Sequence, residues 1–131
     1  MVDSMTEADA REFGDVYADR TVLVDVLGSP TKVRTLAVLI SETDRDLNAS
    51  AICEQAGIGS SSFYHHIEDL LAYGLVEKAR NVGNSPMYRI NTDSEAAEAL
   101  ASFEWSLLEM LASKEEAGEL DENGRPIYAD E

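Results

Sequence analysis

The sequence is poor in the residues that build disulfides, metal sites and membrane spans. Among 131 residues it has one cysteine, Cys53, and two histidines, His65 and His66. One cysteine cannot form an internal disulfide, and with two histidines it leaves too few ligands for a usual zinc site. No apolar run approaches the roughly 18 residues that a membrane span needs. We therefore expect no metal, no cofactor and no membrane partner.

Lysine is also scarce, because three lysines and seven arginines stand against 26 acidic residues and give a net charge of −16. Taken alone, this balance argues against nucleic-acid binding, which usually needs a basic surface. It suits either an acidic tail on an ordinary protein or a cytoplasm near molar salt. The acids are spread along the whole chain, which favours the second explanation. The acidic start before Arg11 is unlike a signal peptide, so we expect a cytoplasmic protein.

The charge is unevenly distributed along the chain. Residues 1–20 sum to −4, residues 21–91 to only −2, and residues 92–131 to −10. Any surface that faces an anion should therefore lie in the middle segment.

The middle segment predicts a series of helices separated by glycines. A short helix is expected over residues 21–27, and three more over residues 30–40, 49–56 and 60–73. Serine or asparagine stands at the start of several of them and glycine at their ends, which is the usual capping pattern.

A hairpin and a long helix follow. Residues 75–80 and 87–90 predict two strands joined by a turn over residues 81–86. The last helix is expected over residues 94–113. The fold class is therefore mainly α with a small β-hairpin wing, which is the order of a winged helix-turn-helix domain.

The helix over residues 60–73 has one apolar face and one polar face. The apolar side is formed by Phe63, Ile67, Leu70 and Leu71, and it should pack against the preceding helices. The opposite side presents short hydroxyls, a phenol and an imidazole, groups that can hydrogen-bond base edges or phosphates in a major groove. The candidate DNA contacts here are Ser60, Ser61, Ser62, Tyr64 and His65.

The other candidate DNA contacts are basic or amide side chains near the hairpin and at an earlier helix start. Around the hairpin they are Lys78, Arg80, Asn84 and Arg89, and at the start of the helix over residues 30–40 they are Lys32 and Arg34. Such groups can reach phosphate or the minor groove.

Three stretches resemble ArsR-type winged-helix repressors. Residues 27–36 (LGSPTKVRTL) resemble the opening of that domain, residues 58–67 (IGSSSFYHHI) its recognition helix, and residues 70–76 its exit into the wing. With the acidic, lysine-poor composition, the chain resembles haloarchaeal regulators of the ArsR/MarR-like group, with oxidative-stress regulators of the RosR type among the candidates. The resemblance implies a homodimer on double-stranded DNA.

The resemblance divides the chain into four parts. They are an N-terminal arm or short helix (1–20), the winged helix-turn-helix domain (21–91), a dimerisation helix (92–113) and an acidic extension (114–131). The dimer interface is expected at the stripe of Leu100, Phe103, Leu107 and Leu111. The cysteine pairs and the carboxylate and histidine sets of ArsR metal sensors are missing, so metal sensing is not expected.

Several residues keep more than one interpretation. His65 suits base contact or a solvated surface, Tyr64 suits DNA contact or packing on the wing, and His66 suits packing. Neighbouring helical histidines point about 100° apart and seldom chelate together. Cys53 suits a small buried hydrophobe or, less well, a redox switch.

We hypothesise a sequence-specific regulator, a repressor by the resemblance, that binds palindromic promoter sites as a homodimer and responds to stress or redox state. Cations that bridge acidic groups to phosphate are a further candidate partner in high salt. The alternative is a winged-helix module that binds polymerase or another factor, which the net charge would suit. No nucleophile with a base, phosphate loop or metal spacing suggests an enzyme.

Overall fold

The computed structural model describes residues 17–128, which fall into two units divided between Asn91 and Thr92. The predicted fold class, mainly helical with a small wing and a long C-terminal helix, is confirmed. Of the predicted N-terminal arm, residues 1–16 lie outside the described residues. The elements are a 3-10 turn at Tyr17–Arg20, helices α1 (Val22–Leu27), α2 (Pro30–Ser41), α3 (Ala49–Ala56), α4 (Ser60–Ala72) and α5 (Glu95–Glu116), and strands β1 (Leu47–Asn48), β2 (Val76–Val82) and β3 (Ser85–Ile90).

Polar side chains fix the starts of four helices. Thr21, Ser29, Asn48 and Ser94 each accept a hydrogen bond from the backbone N–H three residues on, at 2.8–3.2 Å. Each such cap satisfies a donor that the helix itself leaves without a partner. The predicted starts at Ser29 and Asn48 are therefore confirmed, and Pro30 occupies the first turn as expected.

A three-residue turn joins α3 to α4. Gly57 adopts a left-handed conformation, with φ of 71°, and its N–H donates to the carbonyl of Cys53 at 2.9 Å. The N–H of Ile58 donates to the same carbonyl at 3.1 Å. Because only glycine adopts this conformation without steric cost, Gly57 ends α3 and lets α4 begin three residues later.

The wing is a longer hairpin than the sequence predicts. The sheet has the order β1-β3-β2, and β2 and β3 remain paired from Val76 and Ile90 out to Val82 and Ser85. The turn is therefore only Gly83-Asn84, and the predicted turn over residues 81–86 is wrong. Pairing continues through Pro86 because β1 contacts β3 only at Met87 and Tyr88, so the missing N–H of Pro86 faces no third strand.

The core of the N-terminal unit draws on its helices and its sheet. Phe63 in α4 is 1 % exposed, and its ring meets that of Tyr88 in β3 edge-on, with centroids 5.4 Å apart. Burying each large side chain stabilises the fold by about 1.5–3 kcal/mol. The other large buried side chains are Val26, Leu36, Leu39, Leu47, Ile52, Ile67, Leu70, Leu75, Val76 and Ile90.

Lys32 belongs to this packed interior, and its predicted role as a phosphate contact is wrong. Its side chain is only 4 % exposed, and its ammonium lies 2.9 Å from the Asp69 carboxylate and 3.5 Å from that of Asp25. The hydrogen bond to Asp69 raises the pKa of Lys32, and a hydrogen bond from Tyr73 lowers the pKa of Asp25. The ammonium thus links α1, α2 and α4 and is not available to DNA.

The helix of the second unit is longer than the sequence predicts, which places its end at residue 113. Helix α5 continues to Glu116, because residues 114–116 are good helix formers and the stop comes at Gly118, with φ of 74°. The extension is also more ordered than expected. Asp121 accepts hydrogen bonds from the N–H groups of Asn123 and Arg125, and Leu120 pairs with Pro126.

The first prediction concerns the turn between α3 and α4. Gly57→Ala should lower the free energy of unfolding by about 1–2 kcal/mol, because an L residue is strained at positive φ. An added Cβ would meet only the Arg34 guanidinium, at 3.7 Å, so crowding contributes little. Urea unfolding measures the change, and Gly59→Ser is the control, because Gly59 has an ordinary φ of −81° and open space around it. Equal losses in both variants would contradict the assignment of strain to Gly57.

The second prediction concerns the buried Lys32. Lys32→Met should lower the free energy of unfolding by about 1–3 kcal/mol, because it leaves two carboxylates near one another without their shared cation. Lys114→Met removes an exposed pair with Glu119 and should have little effect. The loss in Lys32→Met should shrink as the pH falls below about 4, since the lowered pKa of Asp25 keeps it ionised above that pH. A loss that does not change with pH would contradict an ion-pair origin.

Candidate nucleic-acid interface

Helix α4 presents a polar face opposite its buried stripe. Phe63, Ile67 and Leu70 are buried in the core, as the sequence predicts. The predicted contact residues of the helix are all exposed, and they are Ser60, Ser61, Ser62, Tyr64 and His65. The packing of the apolar side therefore orients hydroxyl, phenol and imidazole groups toward solvent.

The N-terminus of α4 is open to an anion. Gly59 stands at the cap position and has no side chain to accept a hydrogen bond from the first turn. The first N–H groups of this 13-residue helix therefore lack the side-chain cap that α1, α2, α3 and α5 each have. Free N–H groups and the positive end of the helix dipole favour phosphate.

The aromatic side chains of α4 have different environments. Tyr64 is 57 % exposed, and its ring lies edge-on to Phe63 with centroids 5.1 Å apart. His65 is exposed, whereas His66 is half-buried on the flank of the helix. Their rings are nearly perpendicular, with an angle of 84° between planes. His65 is therefore the histidine that a molecule in front of α4 would meet.

A bulge in β2 separates the basic residues of the wing. Lys78 pairs with Tyr88, but Arg80 pairs with the next residue back, Met87, so Ala79 is an extra residue in β2. Cross-strand partners share a face of the sheet, and alternate residues of a strand do as well. Arg80 therefore shares the face of Met87 and Arg89, whereas Lys78 lies on the face of Tyr88. Without the bulge, Lys78 and Arg80 would share one face.

Both wing arginines are already paired with carboxylates. Arg80 makes a bidentate contact with Asp46, with Nε–Oδ2 at 2.8 Å and Nη2–Oδ1 at 3.2 Å. Arg89 donates through Nε to Glu77 Oε2 at 2.6 Å, and these two residues are also cross-strand partners. The hydrogen bond from Arg80 lowers the pKa of Asp46, so its carboxylate is ionised at neutral pH.

The other predicted DNA-contact residues, Arg34, Lys78 and Asn84, have exposed side chains. Asn84 occupies the turn at the tip of the wing, and Lys78 forms no ion pair with any residue between 17 and 128. Arg34 donates to the carbonyl of Gly57 at 3.3 Å, so it supports the turn before α4 while its side chain stays exposed. Only Lys32 among the predicted contacts is buried.

Helix α5 exposes apolar side chains along much of its length. In the predicted interface stripe, Phe103 and Leu107 are 58 % and 41 % exposed, and Leu100 and Leu111 are half-buried. Trp105, Leu108 and Met110 are exposed as well, and Trp105 donates to Glu109 at 2.9 Å. Large exposed apolar patches on soluble proteins are typical of interaction surfaces.

The histidine, cysteine and acidic side chains of the described residues bear on metal ligation and thiol chemistry. No group of three or more acidic, histidine or cysteine side chains within residues 17–128 is placed to hold a metal ion. Cys53 is half-buried, and burial raises the pKa of its thiol. A protonated thiol is a poor nucleophile. In the same residues, no helix has the length and apolar character that crossing a bilayer requires.

Sequence reasoning missed the carboxylates that hold the wing arginines. Glu77 is the cross-strand partner of Arg89 only in the observed hairpin register. That register depends on the bulge at Ala79, which no sequence signal marked. Asp46 lies 34 residues from Arg80 in the chain, and only the tertiary fold brings the two together.

No protein-family profile matches the sequence, and no curated protein matches it. Solved structures of transcription regulators are similar to it in fold. The antimony-specific transcriptional repressor AntR has a TM-score of 0.55 at 22 % identity, covering 86 % of this chain and 90 % of that one. A predicted DNA-binding transcriptional regulator from E. coli has 0.52 at 17 %, covering 79 % and 97 %. A MarR-family regulator from Silicibacter pomeroyi has 0.52 at 21 %, covering 79 % and 61 %.

None of these three proteins is named as an enzyme. At such identities the likeness establishes the fold. The three helices α2, α3 and α4, with the turn at Gly57 and the hairpin that follows, form a winged helix-turn-helix domain.

Proposed function

We propose that the protein is a sequence-specific DNA-binding transcription regulator, and that it acts as a repressor. The observation that carries this proposal is the exposed face of α4, where Ser61, Ser62 and His65 stand beside an uncapped helix N-terminus. AntR is a repressor, and the E. coli protein is named as DNA-binding. Their likeness in fold supports the same class of function here.

In the proposed complex, α4 enters the major groove with its N-terminal half first. The hydroxyls and the His65 imidazole hydrogen-bond base edges, and the free N–H groups of the first turn meet a phosphate. The wing lies beside the adjacent minor groove with Asn84 at its tip, and Lys78 and Arg80 reach backbone phosphates from its two opposite faces. Repression follows from occupying promoter DNA that polymerase or basal factors need.

The proposed active form is a homodimer joined through α5. The stripe of Leu100, Phe103, Leu107 and Leu111 offers apolar surface that a second copy of the helix can cover. Two-fold symmetry would place two copies of α4 in successive major grooves about one helical turn apart. The binding site would then be a palindrome.

The net charge of −16 supports a protein that works in high salt. Binding through counterion release weakens as salt rises, so a lysine-poor interface depends more on hydrogen bonds and DNA shape. Cations that bridge acidic groups to phosphate are part of this proposal. A response to oxidative stress, which the ArsR/MarR-like resemblance suggests, remains part of it too, although the raised pKa of Cys53 argues against that thiol as the sensor.

The third prediction concerns the polar face of α4. Duplexes that the protein binds are first selected from a random library, and affinity for the selected site is then measured by fluorescence anisotropy. His65→Ala should weaken binding to that site by about tenfold or more, the usual cost of losing a base contact, while binding to unrelated DNA changes little. His66→Ala is the matched control, because the same residue type is removed one position away on the flank.

Equal effects of the two histidine changes would contradict base contact by His65. A failure to enrich any duplex would contradict the proposed function as a whole. That outcome would favour the alternative, a winged-helix module that binds polymerase or another protein factor, which the acidic surface also suits.

The fourth prediction concerns the dimer. Phe103→Glu should weaken dimerisation by more than about tenfold, because a charge would be buried in an apolar interface. Light scattering across a concentration series measures the mass. Ser102→Glu adds the same charge on the side of α5 away from the stripe and should leave the dimer intact. A monomeric wild-type protein, or equal effects of both changes, would contradict an α5 interface.

A further inference from the structure

The outer face of the wing holds a depression of about 630 Å³ whose positive charge is fully compensated. Three guanidinium groups line it, those of Arg45, Arg80 and Arg89, together with the carboxylates of Asp44 and Asp46. Each is paired with a carboxylate: Arg80 with Asp46, Arg89 with Glu77, and Arg45 with Glu42 at 3.1 Å. The depression therefore holds guanidinium groups that phosphate could bind, but acids of the same chain compensate their charge, so it is not a basic surface.

The paired carboxylates use the same atoms of arginine that a phosphate would use. Carboxylate and phosphate both accept two parallel N–H bonds from one guanidinium edge. Asp46 takes that geometry on Arg80, through Nε and Nη2. Arg80 cannot give these two bonds to Asp46 and to a DNA phosphate at once, so a phosphate that binds this edge of the guanidinium must displace Asp46.

The fold holds these carboxylates in place. Asp46 is only 15 % exposed in its side chain, and it directly precedes β1, which is paired to β3. Glu77 faces Arg89 across the hairpin as its register partner. The bulge at Ala79 brings Arg80 onto this same face of the sheet. The backbone therefore positions both carboxylates beside their arginines. The sheet register positions Glu77, and the pairing of β1 with β3 positions Asp46.

We propose that Asp46 and Glu77 set the DNA affinity of the wing by acting as built-in competitors of backbone phosphate for Arg80 and Arg89. This inference rests on the proposed DNA-binding function. When DNA binds, each wing arginine passes from a carboxylate to a phosphate, and the displaced carboxylate stays near the DNA. The arginine and its acid together bring no net positive charge, so few condensed cations leave the DNA. Affinity is then moderate in low salt and falls slowly as salt rises.

The test is to remove one competitor at a time without changing its shape. Asp46→Asn and Glu77→Gln should each tighten binding to the selected duplex by about two- to fivefold in low salt, the scale of an exposed ion pair. Each should also steepen the slope of log affinity against log KCl by about 0.9, the contribution of one regained phosphate contact. Arg80→Ala added to Asp46→Asn should abolish the gain.

A matched control separates local from general charge effects. Glu119→Gln makes the same change in net charge in the C-terminal unit, where its partner is Lys114. It should leave affinity and slope unchanged. The inference would be overturned if Asp46→Asn weakened binding, which would make Asp46 a positioning residue for Arg80, or if Glu119→Gln gave the same gain.

The failure of this inference is distinguishable from the failure of the proposed function. If His65→Ala weakens binding to the selected site while Arg80→Ala and Arg89→Ala do not, α4 binds DNA and the wing arginines do not. Only the inference about Asp46 and Glu77 then fails. If the wild-type protein enriches no duplex, the proposed function fails first.

Discussion

The edge-on contact between Phe63 and Tyr88 is the interaction on which the geometry of the N-terminal unit depends. Phe63 of helix α4 is 1 % exposed and Tyr88 of strand β3 is 3 % exposed, and the planes of their rings make an angle of 74°. Because Phe63 fixes the rotation of α4 about its axis, the opposite side with Ser61, Ser62 and His65 must face solvent. Because Tyr88 fixes which face of β3 is buried, Arg89 must lie on the outer face of the wing.

Lys32 and the wing arginines of the N-terminal unit interact with carboxylates close to them, although the net charge of the chain is −16. They do so in two different settings. Lys32 is buried between Asp25 and Asp69 and joins three helices. The wing arginines lie on the surface, where their carboxylate partners are held by the sheet register. The ion pairs of Lys32 stabilise the fold, and in our proposal those of the wing tune affinity. In this proposal, an acidic protein binds phosphate through arginines whose charge its own carboxylates compensate.

The parts of the fold that follow from local sequence were predictable. The capping residues Ser29 and Asn48 and the left-handed Gly57 marked helix boundaries, and the spacing of Phe63, Ile67 and Leu70 identified the buried side of α4. What depends on tertiary contact was not predictable. Lys32 looked like an exposed cation at a helix start, and nothing local shows that Asp69 would cover it. The bulge at Ala79 and the pairing of Arg80 with Asp46 also emerge only when strands are in register.

DNA binding by α4 is tested by mapping the backbone amide shifts of the isotope-labelled protein during titration with its selected duplex. We expect the shifts to concentrate in the first two turns of α4, from Ser60 to His65, and at the wing tip at Gly83 and Asn84. A scrambled duplex should give smaller shifts at the same wing positions and few in α4. Shifts confined to α5, or none above those produced by salt alone, would contradict the claim that α4 reads DNA.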